Sequence, residues 1–455
     1  MLLLPLPPVL AQNLANFPGL TEVQQPVAAA IQVVCARFAP GGYVANPVGT
    51  PAERLFFTCR SMVQTANDLT PGNTLPTGAS LKITSEQLRV AVQAVGPVQM
   101  NAQKQLSIET SKANLLLNRL VDLRSGARGV LSGSNGGDGK SVSLASNQSL
   151  IGARGGGASA DPVLEGPVGV FANAGYNQGN VDATVRQDGY DFHNSQFLIG
   201  VDYRVSNAFI LGAAVGYNET RSTFDQSLGN VDSETTSVSA YGTYYKDAWY
   251  VDGVVSFGSV DYDTVRNIAV PSNSASPNAL PINTSARASP KGSQWSASIG
   301  VGRDFAYPTV TISPVARLSY LWVKNDAFTE EEPNNGLGLA VDSRTVSSLQ
   351  SALGAKLSTV VSTGSGVFGP YIAAHWLHEF KNGVPSITAR YVQDPFNPIT
   401  FLIPAEQPDR DYAVVSLGSS VTLPGNWSGF VQVITALGIS NVTNNGIIAG
   451  IRKQF

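Results

Sequence analysis

The chain has 455 residues, 13% of them charged and 43% hydrophobic, with a formal net charge of −3. That charged share is about half the ordinary one for a soluble domain, and no run of about 18 apolar residues exists to make a spanning helix. No basic cluster marks a nucleic-acid partner. The 45 glycines suit strands in which apolar residues are diluted by alternation.

The first eleven residues are expected to be a truncated signal peptide. Leu2 to Leu4 and a proline-interrupted apolar stretch lead to a cleavage position after Ala11, without the usual basic start. Residues 12–80 are expected to be a small helical passenger region. Val23, Val27, Ile31 and Val34 recur at helical spacing behind Thr21, and Gly41-Gly42 ends that run. A second helix is expected from Ala52 to Asn67. Cys35 and Cys59 fall one on each helix. In an oxidising compartment they pair as a disulfide and staple the hairpin; the alternative is two buried thiols. Pro71-Gly72 and Pro76 to Gly78 read as a linker.

Residues 81–127 are expected to form a long helix, begun at Thr84-Ser85-Glu86-Gln87 by a capping pattern and kinked or restarted at Pro97. From Val98 to Arg124 no Pro or Gly interrupts it. At helical rise this is about 40 Å, close to the height of a membrane barrel. Gln99, Asn101, Gln103, Lys104, Gln105, Glu109, Lys112 and Asn114 make it polar on most sides, as a barrel lumen would allow; an ordinary long helix packed on the N-terminal region fits as well. Residues 128–165 are a Gly/Ser-rich linker.

Residues 166–455 change period. Phe197, Ile199, Val201 and Tyr203 alternate with Leu198, Gly200, Asp202 and Arg204; after a tight turn, Leu211, Ala213, Val215 and Tyr217 alternate with Ile210, Gly212, Ala214, Gly216 and Asn218. One face is large and apolar and the other mostly small or polar, as when the first meets lipid and the second lines a lumen. Twelve such segments start near Val168, Phe192, Ala208, Thr235, Trp249, Gln294, Thr309, Val346, Val367, Tyr412, Ser428 and Gly446. Short turns at 206–207, 246–247, 307–308, 362–366 and 424–426 alternate with long polar loops at 177–190, 218–233, 260–293, 324–344 and 381–410. Alternation places Leu349, Leu353, Leu357, Ile312, Ala316, Leu318, Tyr320 and Trp322 towards lipid. Arg317, Lys356, Arg452 and Asp252 are expected to be pore-lining, either as a polar coat around a helix or as an ion-selective wall. Trp249, Trp295, Trp322 and Trp376 lie where aromatic girdles are required. The fold class expected is mainly β, a 12-stranded antiparallel transmembrane β-barrel with an α-helix through the pore, preceded by a small α-helical N-terminal region.

Several segments, in order, carry a family likeness. Pro370-Tyr-Ile-Ala-Ala-His-Trp-Leu-His-Glu-Phe380 resembles the His-Glu-Phe strand of the autotransporter (type V secretion) translocator domain. So do Val301 to Phe305 leading into Ile312 to Tyr320, Phe328-Thr-Glu330, and the closing Gly450 to Phe455. The likeness covers 166–455 and reaches weakly to Asn118-Arg119-Leu120 and Leu123-Arg124. It implies a Gram-negative outer-membrane barrel, partnered by the lipid bilayer and, during biogenesis, by the barrel-assembly machinery and periplasmic chaperones. Phe455 would be part of the assembly signal, the barrel a monomer, and the N-terminal region exposed at the cell surface. Family members that cut their pore helix do so between paired asparagines. Here Asn114 precedes Leu115 and Asn118 precedes Arg119, so no cleavage is expected and the passenger stays attached.

No enzyme chemistry is expected. No histidine lies between residues 12 and 165, so a Ser-His-Asp site there is excluded. His375 and His378 have odd spacing and fall on opposite strand faces, unable to share a metal. Gly155-Gly156-Gly157 lacks the Lys-Ser/Thr of a phosphate loop. No cofactor is expected. The leading function is an outer-membrane barrel that anchors and exports its own N-terminal passenger. The alternative is a channel with an N-terminal plug or periplasmic helical domain.

Overall fold

A computed structural model of the chain describes residues 13–38, 49–97 and 167–455, apart from 275, 277, 278, 333, 382 and 395–398. The expected signal peptide, the expected helix over 98–127 and the linker over 128–165 lie outside the described residues.

Twelve long strands form the wall. They are β1 (Val168–Val181), β2 (Tyr190–Ser206), β3 (Phe209–Phe224), β4 (Gly229–Lys246), β5 (Trp249–Val270) and β6 (Lys291–Arg303). There follow β7 (Thr311–Asn325), β8 (Arg344–Ser358), β9 (Gly366–Glu379), β10 (Asp411–Leu423), β11 (Trp427–Leu437) and β12 (Val442–Gln454). Each pairs antiparallel with its neighbours, and β12 pairs with β1 from Val442–Val181 to Gln454–Gly169, so the sheet closes and leaves no edge. The Phe455 amide donates to the Val168 carbonyl at 3.0 Å and finishes the seam.

The two faces follow the alternation. Phe197, Ile199, Val201, Leu211, Val215, Phe257, Ile299, Leu318, Leu353, Ile372, Leu417 and Val433 are exposed on the outside, while Asn173, Asn177, Gln196, Asn218, Ser237, Thr243 and Gln432 are buried on the inside. Such an exposed apolar belt has no place in water and every reason to exist in lipid. Tyr203, Trp249, Phe305, Tyr307, Trp427 and Phe455 ring the short-turn end of it.

The lumen departs from the expected small-polar lining on one side. Phe171, Tyr241, Tyr245, Tyr250 and Phe430 form a buried cluster with Leu198, Ile210, Val254 and Ile448. The rings lie flat over glycines of the adjoining strand. A Cβ on Gly212 would sit 2.2 Å from the Tyr241 ring, so only glycine lets the ring lie there. The hydroxyls find polar partners: Arg204 Nη1 donates to Tyr245 Oη at 3.0 Å.

The strands also run further than expected. Segments 218–233 and 260–293 are largely strand, with β3 and β4 joined by a short turn at 225–228 and β5 reaching Val270, whereas 182–189 is a loop as expected. At strand rise the 22 residues of β5 extend about 75 Å, whereas about 10 residues suffice to cross a bilayer. The outer halves therefore stand in water. There both faces become polar while the period of two persists, and polarity alone reads as loop. A short strand, Ile282–Ala288, returns along β5. A separate four-stranded sheet is built from Phe328–Thr329, Leu339–Val341, Ile387–Tyr391 and Phe401–Ile403, within the β7–β8 and β9–β10 connections.

Among the described residues three helices precede the barrel: α1 (Gln24–Phe38), α2 (Pro51–Asp68) and α3 (Ser85–Val95). Reciprocal caps start α2 and α3, with Thr50 and Glu53 at one and Thr84 and Gln87 at the other. Cys35 and Cys59 form a disulfide between α1 and α2, their Cα atoms 5.6 Å apart. The segment expected to be a linker is packed instead: Gln64 Oε1 accepts from the Ala79 amide at 2.6 Å, Thr65 Oγ1 from the Leu81 amide at 2.8 Å, and Asn67 Nδ2 donates to the Pro76 carbonyl at 2.9 Å. Leu88, Ala91, Val92 and Val95 of α3 share the core of α1 and α2, so the division expected at residue 80 falls inside one packed unit. The helix ends at Val95, before Pro97.

Candidate functional site

The feature that organises the molecule is the seat of this helical unit on the long-loop end of the barrel. Val27, Ile31, Leu55, Met62, Val92 and Val95 of the helices belong to one continuous buried cluster with Ile268 and Val270 of β5, Leu337, Leu339, Val341, Ile387, Tyr391, Phe401 and Ile403. The unit is a cap. Ala94, at the end of α3, packs among the inward-facing Val181, Tyr190, Phe192, Phe224, Val231, Val260 and Tyr262, which line the mouth.

Polar contacts fix the seat at its centre and rim. Arg266, on the inner face of β5 and 2% exposed, donates through Nη1 to the Ala94 carbonyl at 3.0 Å and through Nη2 to the Leu337 carbonyl at 2.7 Å. Its Nε donates to Glu330 Oε1 at 3.0 Å, and Nη2 also meets Glu330 Oε2. Glu330 accepts in addition from the Leu339 amide at 3.0 Å. Tyr391 Oη donates to the Val95 carbonyl at 3.1 Å, and burial pushes that phenol up. The last carbonyls of α3, the negative end of the helix, are thus met by a cation and a hydroxyl from the barrel.

At the rim, Gln93 Nε2 donates to Asp188 Oδ1 at 2.6 Å. Burial, and then the nearby Asp225 carboxylate, push Asp188 up to about 7. Arg186 Nε pairs with Glu22 at 2.8 Å, the Asn273 amide donates to the Leu81 carbonyl at 2.9 Å, and Ser276 Oγ donates to the Ser80 carbonyl at 2.5 Å. Gly336, at φ +71°, lies beneath the start of α2, and a Cβ there would stand 2.0 Å from the Pro51 carbonyl oxygen. Glu332 holds that loop. Burial works against its charge, but the Asn335 and Leu337 amides and the Asn335 and Thr284 side chains bring its carboxyl below the ordinary value.

Of the residues assigned to the lumen from sequence, Asp252, Arg317, Lys356 and Arg452 fall on the inner-face register of four strands. Asp252 (β5) and Arg317 (β7) share one row, each opposite Gly300 of β6. Arg452 (β12) crosses the closing seam to Asp202 of β2 at 3.3 Å, and Lys356 (β8) stacks on the Tyr371 ring with Nζ 5.4 Å from its centroid. His375 faces the lumen; His378 faces out and pairs with Asp411 at 2.9 Å. Glu379 is a buried acceptor for the Leu349 amide at 3.0 Å and the Lys381 amide at 2.8 Å, which ties off the end of β9. Among the described residues, no three His, Cys, Asp or Glu side chains gather to hold a metal. Arg266, Tyr391 and Gly336 were not foreseen. Glu330 stood within a family segment without a role, and continued alternation through Val260, Tyr262, Thr264, Arg266 and Ile268 was the signal that could have found Arg266.

A closed antiparallel barrel of twelve strands, with short turns at one end, long connections at the other and an apolar outer belt, defines an outer-membrane β-barrel. The family model for the autotransporter beta-domain matches residues 170–433, more than half of the chain. The chain belongs to the autotransporter β-domain family, which places it in the outer membrane. It is similar to the translocator domain of the autotransporter NalP from Neisseria meningitidis at TM-score 0.50 and 19% identity, over 65% of this chain and 90% of that one. The β-domain of the Bordetella autotransporter BrkA is matched over 64% of this chain and all of that one, at 19% identity and TM-score 0.45. Among sequences, it is 32% identical over 91 residues (20% of this chain) to an IgA-specific serine endopeptidase autotransporter of Neisseria gonorrhoeae. It is 25% identical over 217 residues (46% of this chain) to a Pseudomonas putida protein encoded in the trpE-trpG intergenic region. These matches span 6% and 34% of the two relatives' lengths.

Proposed function

We propose that this barrel carries its own N-terminal region through its lumen to the cell surface and keeps it there uncleaved. The observation that carries the reading is the placement of the two chain ends: α3 finishes at the mouth, on the long-loop end, whereas β1 starts at the short-turn end. Residues 98–166 join those ends, and their polar, unbroken stretch from Val98 to Arg124 suits passage through a polar lumen. In this reading Arg317, Lys356, Arg452 and Asp252 solvate the traversing segment, and Phe455 takes part in recognition by the barrel-assembly machinery after periplasmic chaperones deliver the chain. The barrel acts as a monomer, and the N-terminal region has no catalytic role of its own.

The test is protease shaving of intact cells carrying an epitope tag between Gly41 and Thr50. Loss of the tag from intact cells, with tag and barrel otherwise migrating together as one uncleaved species, is the expected result. A tag protected until the outer membrane is opened would overturn the reading in favour of a channel with a periplasmic N-terminal domain.

A further inference from the structure

We propose that the helical cap is a fixed lid, held by the outer extensions of the barrel as a tight non-covalent partner, and not a passenger displayed on a tether. Severing the chain beyond α3 leaves it seated. The contact holds the lid in place whichever side of the membrane it covers.

A displayed module closes its own core. This one shares its core with the barrel: Val27, Ile31, Leu55 and Val95, 0–1% exposed, lie in one buried cluster with Val270, Leu337, Ile387 and Ile403. Undocking would bare apolar surface on both partners at once, an unfavourable exchange in water. The polar part of the seat reinforces this. Arg266 and Glu330, 2% and 6% exposed at their side chains, are charges withdrawn from water, and the guanidinium spends two of its donors on carbonyls, one from the cap and one from the seat. Buried ions are tolerated when such hydrogen bonds satisfy them. Tyr391, paired across the small sheet with Leu339 and so beside the Arg266–Glu330 pair, donates to the neighbouring carbonyl of α3.

Shape is committed too. The 330–339 loop, organised by the Glu332 carboxylate through the Asn334, Asn335 and Leu337 amides, presents Gly336 where no side chain would fit beneath α2. A surface folded to this degree around one particular helical unit is an interface, and its partner is the α1–α3 unit of the same chain.

The experiment uses the full chain purified from outer membranes in detergent, with a protease recognition sequence inserted between Pro97 and Asn101. The released fragment then carries α1 to α3 and little beyond. After cutting, size exclusion without reductant is expected to show the fragment co-eluting with the barrel. A fragment eluting alone from the cut protein overturns the lid and leaves the export reading standing, since that reading concerns the route and not the grip. Gly336→Val in the same background is expected to release the fragment, with heat-modifiable gel mobility reporting that the barrel is still folded. Retention by a folded Gly336→Val barrel would show that the assigned seat is wrong. The milder Tyr391→Phe, which leaves the Val95 carbonyl without its donor, is expected to speed fragment dissociation about tenfold; an unchanged rate would count against the seat as drawn.

Discussion

Removing one side chain from the seat should undock the cap without harming the barrel. Arg266→Ala leaves the Glu330 carboxylate buried with the Leu339 amide as a remaining donor, and strips donors from the Ala94 and Leu337 carbonyls. Breaking a buried ion pair from one side costs about 3–5 kcal/mol, most of it for the stranded charge. That is comparable with the whole stability of a small domain, about 5 kcal/mol at the low end. The cap should therefore lose its place at room temperature. Replacing both partners by apolar residues, Arg266→Met with Glu330→Leu, removes the stranded charge and should recover most of the loss. The assay is hydrogen exchange read on α3 and α1 peptides, with the β1–β12 seam peptides as the internal standard. Arg266→Ala should abolish protection in the helices and leave the seam slow, while the double variant restores the helices. A loss below about 1 kcal/mol in the single variant would refute the reasoning, because a pair with surface access costs no more than that.

The cap should also respond to pH, redox state and lumen packing. Asp188 titrates near 7 when docked against Gln93 and beside Asp225, and near 4 when hydrated. A raised acid favours the docked state fully below about pH 4, and the benefit is lost as pH rises through about 7. Three units correspond to about 4 kcal/mol, reduced to about 1–2 kcal/mol because water reaches part of the side chain. Cap melting should thus rise between pH 8 and pH 5 in the wild type and stay flat in Asp188→Asn; the reverse slope would contradict the assignment. Reducing the Cys35–Cys59 bridge should destabilise the cap by about 3 kcal/mol, seen as a lower helical melting step beneath an unchanged barrel transition; an unmoved step would mean that the seat alone holds the hairpin. Gly212→Val should force the Tyr241 ring away and weaken the heat-modifiable form of the barrel, with Tyr241→Ala restoring it. Equal stability of the single variant would show that the ring has room to move.

Much of this architecture was legible in the residues. Period-two alternation from Phe197 to Asn218 fixed the lipid and lumen faces, because the membrane makes them chemically opposite. The capping pattern at Thr84 marked one helix start, whereas the Thr50–Glu53 cap of α2 went unread. What escaped has one physical source. Above the membrane the wall meets water on the outside and the cap on the inside, so residues such as Thr264 and Arg266 look like loop although the strand continues. Arg266 reads as a surface cation until Glu330 and the end of α3 are brought to it across 64 and 172 residues of chain. The glycine–aromatic packing of Gly212 and Tyr241 is similarly a cross-strand fact, invisible along either strand alone.

The route of the chain through the barrel is tested most directly by luminal cross-linking in whole cells. Cysteines placed singly over residues 100–124 are paired with Ser239→Cys, on the inner face of β4, or with Val238→Cys, on its outer face. The account predicts disulfides between that segment and position 239 and none with position 238. Cross-links to 238, or to neither, would place the segment elsewhere than the lumen and contradict the account.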